Sequence, residues 1–331
     1  MTVCCFGAIH LDTLVHASRA IRPETSTPGA FSTRPGGVAT NVARGLARLG
    51  SDVFLAGALG NDPEAGVLRD WLARERIRLL EVRREDAPTG RYIALHNPDG
   101  SLPAAVVDAR ITDTLDAGAF CADMAAASSA SLWFLDANLP EDVLDRLCTT
   151  AGSRRIAADA VSRAKAGRLR PVLPRLDMLF CNRAEAQVIL GEENDARELP
   201  GTRHLATALV RAGVRACLVS DGGADLVVAT ADGCVGIPVP QPERIHDVTG
   251  AGDALVAGTL RAVENGLDLP SAAACGLRAA ALTLASPGAV SDALCWSAVA
   301  PPTPASTAGA RRSYKPGPSG ARRTPANGDR T

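Results

Sequence analysis

Short apolar runs alternate with stretches of helical period from the first residues to about position 300. Residues 3–9 read as a strand. Val38, Val42, Leu46 and Leu49 then recur three or four positions apart, the spacing of one helix face, and Gly50 ends the run. The same alternation continues along the chain. Apolar runs at 52–58, 131–137, 155–159, 177–181, 215–220 and 225–230 read as strands, and the patterns at 63–73, 182–190, 250–265 and 271–285 read as helices. Strands alternating with helices predict a mostly parallel sheet covered on both faces, a three-layer α/β/α architecture.

Two stretches break the rhythm. Residues 13–35 lack a helical period and carry Pro23, Pro28, Gly29 and Pro35, while 89–108 read as two strands around the turn Asn97-Pro98-Asp99-Gly100. Together they predict a small β-layer standing off the main sheet; a pair of long surface loops is the alternative. From 301 the pattern stops altogether. The 301–331 segment is rich in Pro, Gly, Ser, Thr and Ala, with six basic residues and one acid, and reads as a disordered basic tail with too few apolar groups to offset the entropy of ordering. The expected organisation is therefore one domain over 1–300, a small second sheet inserted in it from about 13–35 and 89–108, and the tail.

Composition adds limits. With 331 residues, 46% hydrophobic and 21% charged, the chain is of ordinary globular make-up. A net charge of −1 gives no whole-chain attraction to nucleic acid or an anionic membrane. Nine scattered cysteines without a C-x-x-C pair argue against a disulfide framework or a zinc site. No apolar run approaches the ~20 residues of a membrane span, and no signal-like start is evident, so a soluble cytoplasmic protein is expected. Only two of the 35 basic residues are lysines, Lys165 and Lys315, which makes Lys165 conspicuous in the folded part.

Three motifs carry chemistry. Asp247-Val248-Thr249-Gly250-Ala251-Gly252-Asp253 opens a helix. Its glycines let the backbone turn and present amides beside the positive end of a helix dipole, a nest for phosphate. Asp253 in that nest is either a helix cap or a proton acceptor. Gly36-Gly37-Val38-Ala39-Thr40-Asn41 opens another helix; its glycines admit a ligand close to the backbone, and Asn41 can both donate and accept. Asn182-Arg183-Ala184-Glu185 ends a strand, and the Asn/Glu pair reads as a capping box or as a holder of hydrated Mg²⁺.

These blocks, with Gly7-x-x-x-x-Asp12 before them and Gly60-x-Asp62-x-x-x-Gly66 between, resemble in content and order the PfkB (ribokinase-like) carbohydrate and nucleoside kinases over about 1–295. The resemblance implies a ribokinase-like fold with a β-sheet lid, ATP and Mg²⁺, a nucleoside or sugar substrate, and a homodimer formed through the lid. It implies Asp253 as catalytic base and the Gly250, Ala251 and Gly252 amides as anion hole. Asp12, Gly36, Gly37 and Asn41 would hold sugar hydroxyls, and Asn182 and Glu185 would hold the Mg²⁺–phosphate unit. Ser220, Gly222 and Thr249 would line the nucleotide site. Asp247 and Thr249, with the 286–291 loop, would form a monovalent-cation (K⁺) site.

Within that family the Thr25–Gly29 stretch, Leu135-Asp136-Ala137-Asn138-Leu139-Pro140 and Asp159-Ala160-Val161-Ser162-Arg163-Ala164-Lys165 resemble the pseudouridine kinases. This adds Asn138, Asp159 and Lys165 as substrate-side residues and pseudouridine as substrate. A kinase for another nucleoside or a free sugar, of the ribose, fructose or adenosine type, is the alternative. A non-catalytic regulator on the same fold is a third reading, against which the retained Asp253, Asn182 and Glu185 stand. His10 departs from the family's usual Asn, and Asp221 and Asp225 add negative charge to the expected nucleotide loop. A nicotinamide dehydrogenase would need G-x-G-x-x-G after the first strand, where this chain has Gly7-Ala8-Ile9-His10-Leu11-Asp12.

Overall fold

A computed structural model describes residues 2–121, 124–192, 201–242, 244–246 and 248–301. The 302–331 part of the expected tail lies outside these, as does Asp247. A nine-stranded sheet has the order β13-β12-β11-β10-β9-β8-β1-β4-β5. The strands are β1 (Thr2–Phe6), β4 (Asp52–Gly60), β5 (Arg78–Arg84), β8 (Leu132–Asp136), β9 (Arg155–Asp159), β10 (Met178–Asn182), β11 (Ala216–Ser220), β12 (Leu226–Thr230) and β13 (Gly233–Ile237). From β5 across to β11 every pairing is parallel, and β12 and β13 add antiparallel strands at one edge. The mostly parallel α/β sheet expected from the alternating pattern is thus present.

Alternation along each central strand feeds two separate cores. Cys4 and Phe6 pack into one layer with Trp133 and Leu135, and Val3 and Cys5 pack into the other with Leu132 and Phe134. Phe6 lies against Trp133 with ring centroids 4.9 Å apart. Burying both faces this way is why the strands read as continuous apolar runs. β1 has β4 on one side and β8 on the other, so the chain reverses its direction of winding there. In open parallel sheets the crevice beyond the carboxyl ends of such strands is where ligands bind.

A second sheet of four strands has the order β3-β2-β6-β7, with β2 (His10–Ala17), β3 (Gly29–Gly36), β6 (Gly90–His96) and β7 (Ala104–Asp108). The expected β-layer exists, but it begins at His10 rather than about residue 13, so Asp12 stands within a strand. Asp62 links it to the main sheet. Its carboxylate caps the helix Pro63–Arg74 through the Ala65 amide (3.0 Å) and accepts from the Thr89 amide (2.7 Å) and hydroxyl (2.6 Å) at the foot of β6. β5, Arg-Leu-Leu-Glu-Val-Arg-Arg, is not legible as a strand because it is a half-exposed edge strand in which four of seven residues are charged. Helices Glu141–Thr150 and Thr202–Arg211 were likewise missed.

Candidate functional site

Two helices point their N-termini into the crevice. Helix Val38–Arg48 follows Gly37, whose φ of 97° is disfavoured for other residues, and a Cβ there would strike the Ala8 carbonyl. A Cβ on Gly36 would overlap the Asp12 carboxylate, so this glycine makes room for Asp12. Helix Ala251–Glu264 follows Gly250, at φ 79°, against whose Cα the backbone of Ala289 is packed. Gly250, Ala251 and Gly252 therefore form a helix start whose first-turn amides lack intrahelical acceptors.

Asn41 and Asp253, each in a first helical turn, meet across the crevice. The Asn41 Nδ2 donates to Asp253 Oδ2 at 2.8 Å. Asp253 is therefore not the cap of its own helix, which has no side-chain cap bond. Burial raises the Asp253 pKa to about 7, with a further push from Asp136 and partial relief from Asn41. Burial also raises Asp12 to about 7, with repulsion from Asp253 adding to it and Arg34 and Arg44 opposing. Asp159 is pushed well above the carboxylate range by burial and then by Asp253 and Glu185. A buried acid near neutrality is suited to accepting a proton at working pH.

Among the described residues, three buried polar atoms on this side have no hydrogen-bond partner: Asp12 Oδ1, Asn41 Oδ1 and His10 Nε2. Buried groups are rarely left so unless a ligand or water completes them. Next to them the Lys165 ammonium donates to Asn138 Oδ1 at 2.8 Å and lies 3.7 Å from Asp113. Burial lowers His10 to about 4, and the charge of Lys165 contributes to this.

Asp136, in the Leu135–Pro140 stretch, organises the floor. It is fully buried at the end of β8 and accepts from the amides of Ala8 (3.1 Å), Ala39 (2.9 Å) and Asn138 (3.0 Å). One carboxylate thus fixes the exit of β1, the start of the Asn41 helix and the Asn138 turn. Gly7 is required beside it, because a Cβ there would overlap the carboxylate. A strand-terminal Asp two residues before an Asn was the available signal, and its three partners are backbone groups that sequence does not show.

On the other side of Asp253 a cavity of about 190 Å³ is lined by Asp159, Asn182, Glu185, Ser220, Gly252 and Asp253. Asn182 and Glu185 form a reciprocal capping box: Asn182 Oδ1 accepts from the Glu185 amide (3.0 Å) and Glu185 Oε2 from the Asn182 amide (2.8 Å). Burial raises Glu185 above its ordinary pKa. With those oxygens engaged, the pair fits a hydrated cation held through water better than direct ligation. Ser220 and Gly252 also belong to a largely apolar cavity of about 340 Å³, walled by Leu226, Val248, Leu255 and Leu277 and floored by Gly222. Gly222 takes a left-handed turn, φ 57°. The charge expected from Asp221 is offset by an ion pair with Arg183 at 3.2 Å, and Asp225 is exposed. Thr249 immediately precedes Gly250; its expected partner Asp247 lies outside the described residues.

Comparison with known proteins places the chain in a family. The model of the pfkB family of carbohydrate kinases matches residues 1–294. A pseudouridine kinase of Escherichia coli (strain K12) is 27% identical over 259 residues, covering 77% of this chain and 82% of that relative. A carbohydrate kinase from Agrobacterium tumefaciens superposes with a TM-score of 0.80 at 29% identity, over 90% of this chain and 95% of that one. The ribokinase of Thermotoga maritima shares the fold alone, with a TM-score of 0.77 at 19% identity over 90% and 96% of the two chains. With a family match over nearly all of the described core, the chain belongs to the pfkB family of carbohydrate kinases and is an ATP-dependent phosphotransferase with an alcohol acceptor.

Proposed function

We propose that the protein phosphorylates the 5′-hydroxyl of a nucleoside, pseudouridine, to give pseudouridine 5′-phosphate. The observation that carries this reading is the Asn41–Asp253 contact at 2.8 Å beside Asp12, in a crevice where buried polar atoms of Asp12, Asn41 and His10 have no partner among the described residues. Asp12 and Asn41 hold ribose hydroxyls in the room left by Gly36 and Gly37. Asn138 and Lys165, joined at 2.8 Å, take the base end. The similarity to pseudouridine kinases of Escherichia coli and Arabidopsis thaliana supports the choice of nucleoside.

In the transfer, the 5′-oxygen attacks the γ-phosphorus of ATP in line with the leaving ADP oxygen. The new O–P bond forms as the β,γ-bridging O–P bond breaks, and the hydroxyl proton passes to Asp253. The first-turn amides of Gly250, Ala251 and Gly252 bind the transferring phosphoryl oxygens, where fixed dipoles act most strongly. The apolar cavity below Ser220 receives the adenine and ribose of ATP. Asn182 and Glu185 would hold hydrated Mg²⁺ through its waters, and the ion would supply positive charge against the phosphates. Asp247 and the Thr249 carbonyl, with the 286–291 loop, would hold a K⁺ ion. Closing the second sheet over the crevice excludes water. The outer face of that sheet exposes Phe31, Ile93 and Val106, which fits a homodimer formed through it.

A panel of nucleosides and free sugars assayed with ATP and Mg²⁺ tests the assignment. Pseudouridine is expected to give the highest kcat/KM; uridine, adenosine, ribose or fructose exceeding it would move the substrate, and no turnover on any of them would remove the reading.

A further inference from the structure

The crevice collects acids. Asp12, Asp136, Asp159, Glu185 and Asp253 all surround the place where, on the function proposed above, the polyphosphate of ATP must approach. Two guanidinium groups, Arg34 and Arg44, bear on Asp12 from the sugar side. Arg44 is committed: its Nε and Nη2 hold both oxygens of Glu75 at 2.7 and 2.8 Å. Arg34 is different. It is half-buried, and no hydrogen bond or ion pair engages it among the described residues.

Its position follows from strand register. Arg34 in β3 stands directly opposite Asp12 in β2, so the two side chains leave the same face of the second sheet. The Arg34 guanidinium lies on Gly288, where any Cβ would take the place of its Nη1. Gly288 precedes Ala289, the residue whose backbone is packed against Gly250. The guanidinium is therefore carried by the second sheet to the loop that backs the Gly250–Gly252 amides, with its donors uncommitted.

We propose that Arg34 is a further catalytic residue, which contacts the phosphoryl group passing from ATP to the substrate and balances its charge together with the helix amides. This role rests on the reading of Gly250–Gly252 as the anion pocket and Asp253 as the base. A planar guanidinium matches the geometry of two phosphoryl oxygens. Because it belongs to the second sheet and reaches a loop of the main domain, the charge arrives at the pocket only when that sheet is over the crevice. Phosphoryl transfer to water is then disfavoured while no substrate holds Asp12.

The test compares Arg34→Met, Arg34→Lys and Asp253→Asn in the full chain. Arg34→Met is expected to lower kcat by about 10²-fold, with nucleoside affinity measured calorimetrically without ATP changed less than about twofold. Arg34→Lys should recover part of the loss, and millimolar guanidinium should restore turnover to Arg34→Met but not to Arg34→Lys. A kcat for Arg34→Met within twofold of the parent, with Asp253→Asn inactive, would overturn the Arg34 role and leave the base assignment standing. Loss of nucleoside affinity at unchanged kcat would make Arg34 a strut of the second sheet instead. Near-normal turnover by Asp253→Asn would remove the underlying reading, and the Arg34 role with it.

Discussion

The two sides of Asp253 are built on opposite principles. On the side proposed for the nucleotide the polar groups satisfy one another: Asn182 and Glu185 close a capping box, Asp221 pairs with Arg183, and an apolar cavity lies beyond. On the side proposed for the sugar, Asp12 Oδ1, Asn41 Oδ1 and His10 Nε2 are buried and unpaired among the described residues. A site whose polar groups already have partners tolerates variation in what enters it. A site with unpaired buried groups penalises any ligand that fails to complete them. Discrimination by this enzyme should accordingly be strict for the phosphate acceptor and lax for the donor.

The largest expected effect lies at the seam between the two sides. Asp253→Asn should reduce turnover by about 10³-fold or more while leaving nucleoside affinity nearly unchanged, a contrast read by comparing steady-state rates with calorimetric binding. Breaking the sugar side should be the next most severe. Asp12→Ala should cut kcat/KM for the nucleoside by about 10²-fold and leave the KM for ATP within about twofold. If the ATP parameter moved as much as the nucleoside one, the two sides would not be separable.

Breaking the nucleotide side should cost less. Ala280→Trp, which fills part of the apolar cavity, should raise the KM for ATP by about tenfold with the nucleoside parameter unaffected. The pH profile sharpens the comparison further. Asp12 and Asp253 both titrate near 7 because burial opposes their charge. If both must be ionised, log kcat/KM should climb with a slope approaching two below neutrality and level off above it, and Asp12→Asn should reduce the slope to one.

The smallest effect concerns stability. A carboxyl whose folded pKa is raised favours the fold below its unfolded value, near 3.8, and loses that contribution as pH rises through about 7. Asp253→Asn should thus raise Tm by about 2–4 °C at pH 8 and leave it unchanged at pH 4, as followed by calorimetry. An unchanged Tm at pH 8 would mean that the carboxylate is better solvated than its surroundings imply.

What the sequence made legible follows the same division. The central strands are legible because both their faces are buried, and the motifs around Asp12, Gly36, Gly37, Asn41 and Asp253 are legible because each has a backbone reason for its glycines. Asp136 and Arg34 were not. The partners of Asp136 are three amides from distant segments, and the importance of Arg34 depends on a register between β2 and β3 that places it opposite Asp12. The capping box at Asn182 shows the converse limit, since the motif serves helix geometry whatever else it serves.

Asp12 sits in β2, and β2 is reached from the central strand β1 through only Gly7, Ala8 and Ile9. On the proposed function, the carboxylate that would grip the sugar rides on the element that would cover it, so gripping and covering would be a single equilibrium. The apparent Kd for the nucleoside becomes the intrinsic constant divided by the fraction of molecules already covered. A substitution at the Asp62–Thr89 link, outside the residues proposed to recognise substrate, would then retune affinity by shifting that fraction, and selection could adjust the enzyme to scarce or abundant substrate without touching those residues.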